Sequence, residues 1–234
     1  MKKVIFLFCL MTSFFYVSAQ YNRYEEITNP NLQWINKEPA RSSFISYPDK
    51  ASAQSGQTPF RISLNGIWKF FFTENPAFLP AGFARSDFDI LSWSDIQVPG
   101  NWEIQGFGTP IYVNHPHEFV SKGYPPYLQA PDPPNVPKDF NPVGIYRRSF
   151  EVPASWKGQR VFISLDGVKS ATYLFINGKE VGMSKDSKTP ARFDITDYLQ
   201  SGRNIVALEV YRWSDASYLE CQDFWRISGI ERDV

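Results

Sequence analysis

The sequence predicts an all-β fold, a jelly-roll type of antiparallel β-sandwich that follows an extended N-terminal arm. From Phe60 onwards, short runs rich in β-branched and aromatic residues alternate with turn signals, which is typical of sandwiches and barrels. No long amphipathic helical pattern interrupts these runs. Aromatic residues make up 17% of the 234-residue chain, which favours a core of large rings between two sheets.

The first residues have the pattern of a secretory signal peptide. Lys2 and Lys3 precede an apolar run that ends at Val17, and small residues lead up to Ala19, as at a signal-peptidase site. We expect residues 1–19 to be removed and the protein to be exported to the periplasm or secreted. The apolar run is shorter than the ~20 residues that span a bilayer, so we expect no membrane anchor.

Charge and cysteine content exclude several classes of protein. The 24 basic and 24 acidic side chains balance, so we expect no nucleic-acid-binding surface. After cleavage Cys221 would be the only cysteine, which excludes an internal disulfide and requires a substantial hydrophobic core. A buried thiol is the favoured interpretation of Cys221, and a catalytic nucleophile is the alternative. His115 and His117 could bind a metal, but Pro116 separates them and no third ligand is near.

Residues 20–58 show little periodicity and are predicted to form an arm that lies on other surfaces. Three X-Pro steps interrupt any regular element there, and residues 51–57 are small and polar. The predicted anchors of the arm are Trp34, Phe44 and Tyr47.

Residues 59–234 are predicted to form the jelly-roll domain. The Asn177-Gly178 dipeptide is a strong signal for a type I′ hairpin, because both central positions of that turn need a positive φ. Residues 194–199 resemble one capped helical turn. The predicted strand runs are 60–72, around an Asn65-Gly66 turn signal, 144–152, 160–166, 171–176, 179–183 and 204–211.

Two segments lack strand alternation and are candidate functional regions. Residues 99–142 form a long loop rich in Pro, Gly and aromatic residues, and loops of that length in compact domains are usually functional. Residues 212–234 combine Trp, Phe, acids and Arg, a set that is costly to bury without partners. This terminal segment is predicted to be a site wall or a domain interface.

Several residues could contact a sugar. Exposed Trp and Tyr rings can stack on sugars beside hydroxyl-binding polar groups, although packing in a core is the favoured interpretation of these rings. Asp186 either forms an Asx turn with its own backbone or binds a sugar hydroxyl or a hard cation. A retaining glycosidase needs two carboxylates about 5 Å apart. Asp215, Glu220 and Asp223 are candidates, but their spacing does not indicate convergence.

With these residues, the chain from Asn29 to Val234 resembles the amino-terminal, sugar-binding part of a glycoside hydrolase family 2 β-galactosidase of the large bacterial lactase type. The matching blocks follow one another in the family's order and spacing. They are 63–70 (SLNGIWKF), 98–103 (VPGNWE), 110–114 (PIYVN), 141–147 (NPVGIYR), 166–168, 177–178, 186–191 (DSKTPA) and 212–234.

The resemblance implies that a galactose-binding-domain-like jelly roll here precedes an immunoglobulin-like sandwich and a TIM barrel. The family's nucleophile and acid/base are glutamates of that barrel, so no catalytic residue is expected in this chain. The implied cofactors are sodium and magnesium, and the magnesium ligands also lie outside the chain. The implied partners are a β-galactoside oligosaccharide, the protein's own downstream catalytic domain and further copies in a homo-oligomer, whose assembly the arm would support.

The resemblance also assigns site residues. Asp186 matches the position that contacts the galactose 6-hydroxyl and a bound sodium ion. Asn114 matches a position that contacts the sugar, although the following His115-Pro116-His117 departs from the family pattern. The residues expected to brace this domain against the barrel are Trp213, Asp223, Trp225 and Arg226.

Three hypotheses for function follow. The chain is the leading part of an exported retaining β-galactosidase, or a free-standing, non-catalytic carbohydrate-binding module, or a structural domain whose aromatic residues only pack. The first and third hypotheses predict different effects of mutating Asp186. If Asp186 supports catalysis, its mutation should abolish the protection of the protein by galactose or the effect of sodium on it. If Asp186 is only structural, its mutation should lower only the stability of the protein.

Overall fold

The computed structural model describes residues 22–112, 135–220 and 223–234. The predicted signal peptide at residues 1–19 lies outside these residues, and so do Asn114, the two histidines and Cys221. The predictions for those positions remain predictions.

The described residues form fourteen strands, three short α-helices and four short 3-10 helices. The strands are β1 (Trp34–Ile35), β2 (Gly66–Thr73), β3 (Ser94–Val98), β4 (Gly100–Asn101), β5 (Ile111–Tyr112), β6 (Val143–Glu151), β7 (Phe162–Leu165), β8 (Val168–Lys169), β9 (Ala171–Ile176), β10 (Lys179–Ser184), β11 (Ala191–Asp194), β12 (Arg203–Tyr211), β13 (Trp225–Arg226) and β14 (Gly229–Ile230). The α-helices are α1 (Asn22–Thr28), α2 (Lys50–Ser55) and α3 (Ala216–Leu219). The 3-10 helices are Pro76–Phe78, Glu103–Gln105, Ala154–Trp156 and Thr196–Tyr198.

The main sheet has seven antiparallel strands in the order β1-β10-β9-β12-β6-β2-β3. Its longest pairing joins β12 to β6, from Arg203 opposite Glu151 to Tyr211 opposite Val143. Smaller antiparallel sheets, β4-β14-β8 and β11-β7, contribute side chains to the same core as one face of the main sheet. These features confirm the predicted all-β antiparallel sandwich.

The Asn177-Gly178 turn joins β9 to β10 as predicted. Asn177 has φ 51° and Gly178 has φ 83°, so both central residues occupy the left-handed region that a type I′ turn needs. The Asn177 amide also donates to the carbonyl of Tyr198, 2.9 Å away, and accepts from the backbone N–H of Ile205 at 2.9 Å. This one side chain therefore ties the hairpin to β12 and to the 3-10 helix Thr196–Tyr198.

The predicted capped turn at residues 194–199 is that same 3-10 helix. The Asp194 carboxylate accepts from the backbone N–H of Thr196 at 3.0 Å. Its other oxygen pairs with Arg160 at 2.7 Å. The predicted turn is therefore present as a 3-10 helix, but its N-cap residue is Ile195, which forms no side-chain cap, and Asp194 bonds from one position earlier.

Aromatic and aliphatic side chains fill two cores, one on each face of the main sheet. The inner core lies between the main sheet and the smaller sheets, and its large buried members include Trp68, Trp102, Tyr146, Leu165, Phe193 and Leu208. The outer core contains Ile27, Trp93, Tyr173, Met183 and Tyr211. Among the described residues, most of the aromatic rings thus pack in or against these two cores, which was the favoured interpretation of their number.

The arm is more regular than predicted, and the side chains of its predicted anchors are not the buried ones, although Trp34 pairs with Ser184 through the backbone of β1. Trp34 and Phe44 are exposed and Tyr47 is only half buried, whereas Ile27 of α1 is buried in the outer core. The prediction missed α2, although Asp49 caps it by accepting from the N–H of Ser52 at 2.7 Å. The arm is held by the pairing of β1 with β10, by aliphatic side chains against the outer core and by polar contacts, so its large rings did not mark the anchor.

Two cations connect the arm to the sheet. Lys185 is buried and donates from Nζ to the carbonyls of Glu26 and Asn29, at 3.1 and 2.8 Å, and pairs with Asp215 at 2.7 Å. Burial lowers the pKa of Lys185, and the Asp215 carboxylate opposes that shift. Arg23 of α1 lies 3.7 Å above the Tyr173 ring and pairs with Glu180 at 2.6 Å.

We expect Gly144→Ala to lower the free energy of unfolding by about 1–3 kcal/mol, because an added methyl group overpacks a filled core. A Cβ at Gly144 would lie 2.6 Å from ring atoms of both Phe70 and Trp102. Gly158→Asn is the control, because Gly158 has φ +80° with no atom within 4 Å of a Cβ, and Asn tolerates that conformation. Equal denaturation midpoints for the two variants would contradict this packing argument.

We expect Lys185→Met to destabilise the protein by about 3 kcal/mol or more, since it leaves Asp215 buried without its cation. Urea denaturation measures the loss, and limited proteolysis should show faster cleavage in residues 22–58. Lys179→Met, at an exposed position of the same strand, is the control. A Lys185 variant as stable and as resistant as the control would rule out this anchoring role.

Candidate functional site

The short β5-β13 pairing places two exposed rings side by side. Trp225 lies opposite Tyr112 in the register, and their ring centroids are 5.6 Å apart. About half of each residue is exposed, 52% of Tyr112 and 53% of Trp225. Rings left open in this way can stack on the apolar face of a ligand, while their polar atoms remain available for hydrogen bonds.

A carboxylate lies beside these rings. The Tyr112 hydroxyl donates to Asp223 at 2.5 Å, and Asp223 is exposed. This hydrogen bond, with the negative charge of Asp223, raises the pKa of Tyr112 above its usual value. We call Tyr112, Asp223 and Trp225 the aromatic–acid patch.

A buried ion pair holds the backbone segments next to the aromatic–acid patch. Arg212 and Glu103 approach to 3.4 Å with both side chains nearly inaccessible. Arg212 also donates to the carbonyls of Thr109 and Arg226, at 3.0 and 3.1 Å, and Glu103 accepts from the N–H of Ser228 at 2.7 Å. Burial raises the pKa of Glu103, while Ser228 and Arg212 oppose the shift. The network thus joins the segments that lead into β5 and that flank β13.

The loop after β10 presents Asp186 to solvent. Its carboxylate accepts from the backbone N–H groups of Lys188 and Thr189, both at 3.3 Å, and from the Thr189 hydroxyl. The Asx turn that the sequence allowed is therefore present. It holds the carboxylate at the surface, between the buried side chains of Lys185 and Ser187.

Glu220 fixes this loop against the terminal segment. It accepts from the N–H and the hydroxyl of Ser187, at 2.9 and 2.6 Å. Burial raises the pKa of Glu220, the bonds from Ser187 oppose that shift, and Asp186 adds to it. Lys188 pairs with Glu231 and lies 5.6 Å from the Phe224 ring. The structure thus brings the Asp186 loop and the segment around Asp223 together.

The predicted interface residues divide into two pairs. Asp223 and Trp225 are exposed, whereas Trp213 and Arg226 are buried within the described residues. The Trp213 ring packs 5.7 Å from Phe140. An interface role for all four residues stays a prediction. Asn114 lies outside the described residues, two positions after Tyr112 in the sequence.

The three candidate carboxylates do not form a catalytic pair. Asp215 binds Lys185, Glu220 binds Ser187, and Asp223 binds Tyr112. Sequence reasoning missed Tyr112 and Glu103 as site-forming residues. Their only sequence signal was their membership of blocks that resemble the family, because the partners of both residues lie more than 100 positions away.

The Asp186 loop supplies only part of a cation site. A hard cation takes several oxygen ligands, and Asp186 offers one carboxylate that already accepts three hydrogen bonds. Across the described ranges, no three His, Cys, Asp or Glu side chains converge on one point. A sodium ion at Asp186 would need further oxygen ligands from elsewhere, and this assignment stays a prediction.

In the described part of the chain, no helix combines the length and the apolar character needed to cross a bilayer.

Comparisons with known proteins agree on one family. The model of the sugar binding domain of glycosyl hydrolases family 2 matches residues 61–234. A beta-galactosidase of Priestia megaterium is 43% identical over 224 residues, which are 94% of this chain and 21% of that protein. One from Halalkalibacterium halodurans is 42% identical over 217 residues, 88% of this chain and 21% of that protein. The chain thus spans about a fifth of the length of these relatives.

Solved structures show the same fold. Beta-glucuronidase 2 of Bacteroides uniformis aligns with a TM-score of 0.50 at 24% identity, over 74% of this chain and 17% of that chain.

We expect Asp223→Asn to lower the pKa of the Tyr112 hydroxyl back toward 10, its ordinary value. The variant removes the negative charge that disfavours the tyrosinate, so Tyr112 should ionise at lower pH than in the natural protein. NMR titration of ring-labelled tyrosine measures this shift. Asp197→Asn, at an exposed position of the 3-10 helix Thr196–Tyr198, is the control. An unchanged Tyr112 titration in Asp223→Asn would show that the hydrogen bond does not form.

Proposed function

The chain belongs to glycosyl hydrolase family 2, as its sugar-binding domain, and from this membership we propose that it is the leading part of an exported, retaining β-galactosidase. The whole protein would hydrolyse terminal non-reducing β-D-galactosyl residues of β-galactosides. This segment would supply sugar-contacting loops and domain packing. The catalytic glutamates would lie in a downstream barrel.

The observation that carries this proposal is the joining of the aromatic–acid patch to the Asp186 loop. Glu220 bonds to Ser187 next to Asp186, and Asp223 follows three positions later along the chain. Two exposed carboxylates and two exposed rings therefore share one region of the surface. Carboxylates bind sugar hydroxyls and rings stack on sugar faces, so this group of residues suits a neutral saccharide.

Such contacts would raise the rate of hydrolysis although they lie away from the bond that is cleaved. A retaining glycosidase passes through two steps at a pair of carboxylates. Hydroxyl contacts remote from the reacting bond raise the rate when they strengthen in the transition state. Asp186 would provide one such contact, at the galactose 6-hydroxyl, with a sodium ion nearby, and Asn114 would provide another. Magnesium would bind through ligands outside this chain.

Two further parts of the proposal concern location and assembly. Residues 1–19 would direct export to the periplasm or outside the cell. The arm would support a homo-oligomer, and Trp213, Asp223, Trp225 and Arg226 would brace this domain against the catalytic one. Asp223 and Trp225 are the exposed members of that set, so they would make the direct contacts with that domain or with the sugar.

We expect Asp186→Ala in the full-length protein to lower kcat/KM on a β-galactoside by at least tenfold, through loss of a charge-assisted contact to the sugar. Steady-state kinetics with and without sodium measures the effect, and Asp197→Ala is the control. Near-normal kinetics for Asp186→Ala would remove Asp186 from the site.

The same assays test the activity itself. Cleavage of β-galactosides by the full-length protein is the expected result. A full-length protein that binds galactose but cleaves no β-galactoside would instead be a non-catalytic carbohydrate-binding module. Cleavage of β-glucuronides alone would overturn the assigned sugar.

A further inference from the structure

A groove lies on the outer face of the main sheet. It has a volume of about 600 Å³ and is lined by parts of β2, β3, β6 and β12, by residue 86 and by residues 88–91. Arg203, at the start of β12, lines it, whereas Arg212 of the candidate site follows the other end of that strand. Eight residues of extended strand separate Arg203 from Tyr211, about 27 Å. The groove is therefore remote from the aromatic–acid patch.

The floor of this groove carries a buried cation without an acidic partner. Arg147 is 3% exposed. It donates to the carbonyls of Phe88, at 2.8 Å, and Arg85, while its Nε has no hydrogen-bond partner. No carboxylate pairs with it among the described residues. Burying a cation that only neutral carbonyls contact is unfavourable unless an anion compensates for it.

A second guanidinium, that of Arg203, lines the same groove. Arg203 is exposed, and its side chain forms no hydrogen bond or ion pair with other residues in the described ranges, even with its cross-strand neighbour Glu151. The pKa of Arg147 is lowered by burial and then by the positive charge of Arg203. Asp87 offsets part of this repulsion, but Arg85 holds both oxygens of its carboxylate.

The remaining polar groups of the groove do not neutralise these two arginines. Lys69 is paired with Asp95 at 2.8 Å. Asp89 accepts from the backbone N–H of Leu91 at 2.9 Å and keeps its negative charge, while Arg148 adds a further positive charge, so four cationic and two acidic side chains line the groove. The hydroxyl-bearing residues Ser86 and Ser149, both exposed, also line the groove. An excess of positive charge and hydroxyl donors thus meet in a concave space.

We propose that this groove is a second binding site, which takes the oxyanion substituent, a sulfate ester or a carboxylate, of an acidic saccharide. Arg203 donates to the oxyanion, Arg147 contributes its charge from the floor, and the serine hydroxyls complete the contacts. Guanidinium groups match oxyanion geometry. The volume suits a ligand of sugar size, and the exposed side chains of Ile67 and Leu91 lie at the groove for its apolar face. That the oxyanion is carried by a saccharide rests on the proposed function.

The test is calorimetric titration of the full-length protein with four probes: galactose 6-sulfate, galacturonate, galactose and inorganic sulfate. We expect the two acidic sugars to bind at a site that Arg203→Ala weakens about tenfold, the size of one lost charge-assisted hydrogen bond. Added sodium chloride should weaken the same binding because it screens the charges. Lys157→Ala, which removes an exposed cation outside the groove, should leave the affinity unchanged.

Different titration results would contradict the site itself, the saccharide as the carrier of the oxyanion, or the proposed function. Equal affinity of the Arg203→Ala and natural proteins for the acidic sugars overturns it. Inorganic sulfate binding as tightly as galactose 6-sulfate, or an acidic peptide displacing the sugar at lower concentration, overturns the saccharide as the carrier. If the protein cleaves no β-galactoside but still binds acidic sugars through Arg203, the proposed function fails and this site stands. Because Arg203 is exposed, its variant should fold, and an unchanged denaturation midpoint checks this.

Discussion

The pairing of β12 with β6 is the constraint on which the rest of the structure depends. Nine register pairs join the two strands in the middle of the main sheet, and every residue of β12 after Arg203 is buried. Both faces of this pair are covered, by the inner core on one side and by the outer core on the other. Because a slip of one residue would exchange the two faces, this register fixes which side chains of the two strands face each core.

The two ends of β12 lead to two kinds of polar environment. At its C-terminal end, Arg212 is compensated by Glu103 and by carbonyls, and that network holds the strands that carry Tyr112 and Trp225. At its N-terminal end, Arg203 and Arg147 line one groove, and neither forms an ion pair with an acidic side chain among the described residues. A compensated buried charge positions neighbouring segments, whereas an uncompensated charge favours an incoming anion.

Polar contacts, together with the burial of Ile27, hold the N-terminal arm on the main sheet. Ile27 supplies apolar burial, while Lys185 satisfies two carbonyls at the end of α1 and neutralises Asp215. Lys185 directly precedes Asp186, and Ser187, bonded to Glu220, follows it. The contacts that hold the arm are therefore next to those that hold the loop of the candidate site.

The sequence by itself determined the elements whose signals are local. The Asn177-Gly178 hairpin, the turn at Asp194 and the β-rich runs depend on neighbours a few residues away, and the family blocks identified the domain. Tertiary structure alone decided which rings are exposed and which acids are paired. Tyr112 meets Asp223 and Glu103 meets Ser228 across more than 100 residues. Their contacts depend on strand order and register, which short-range periodicity does not encode.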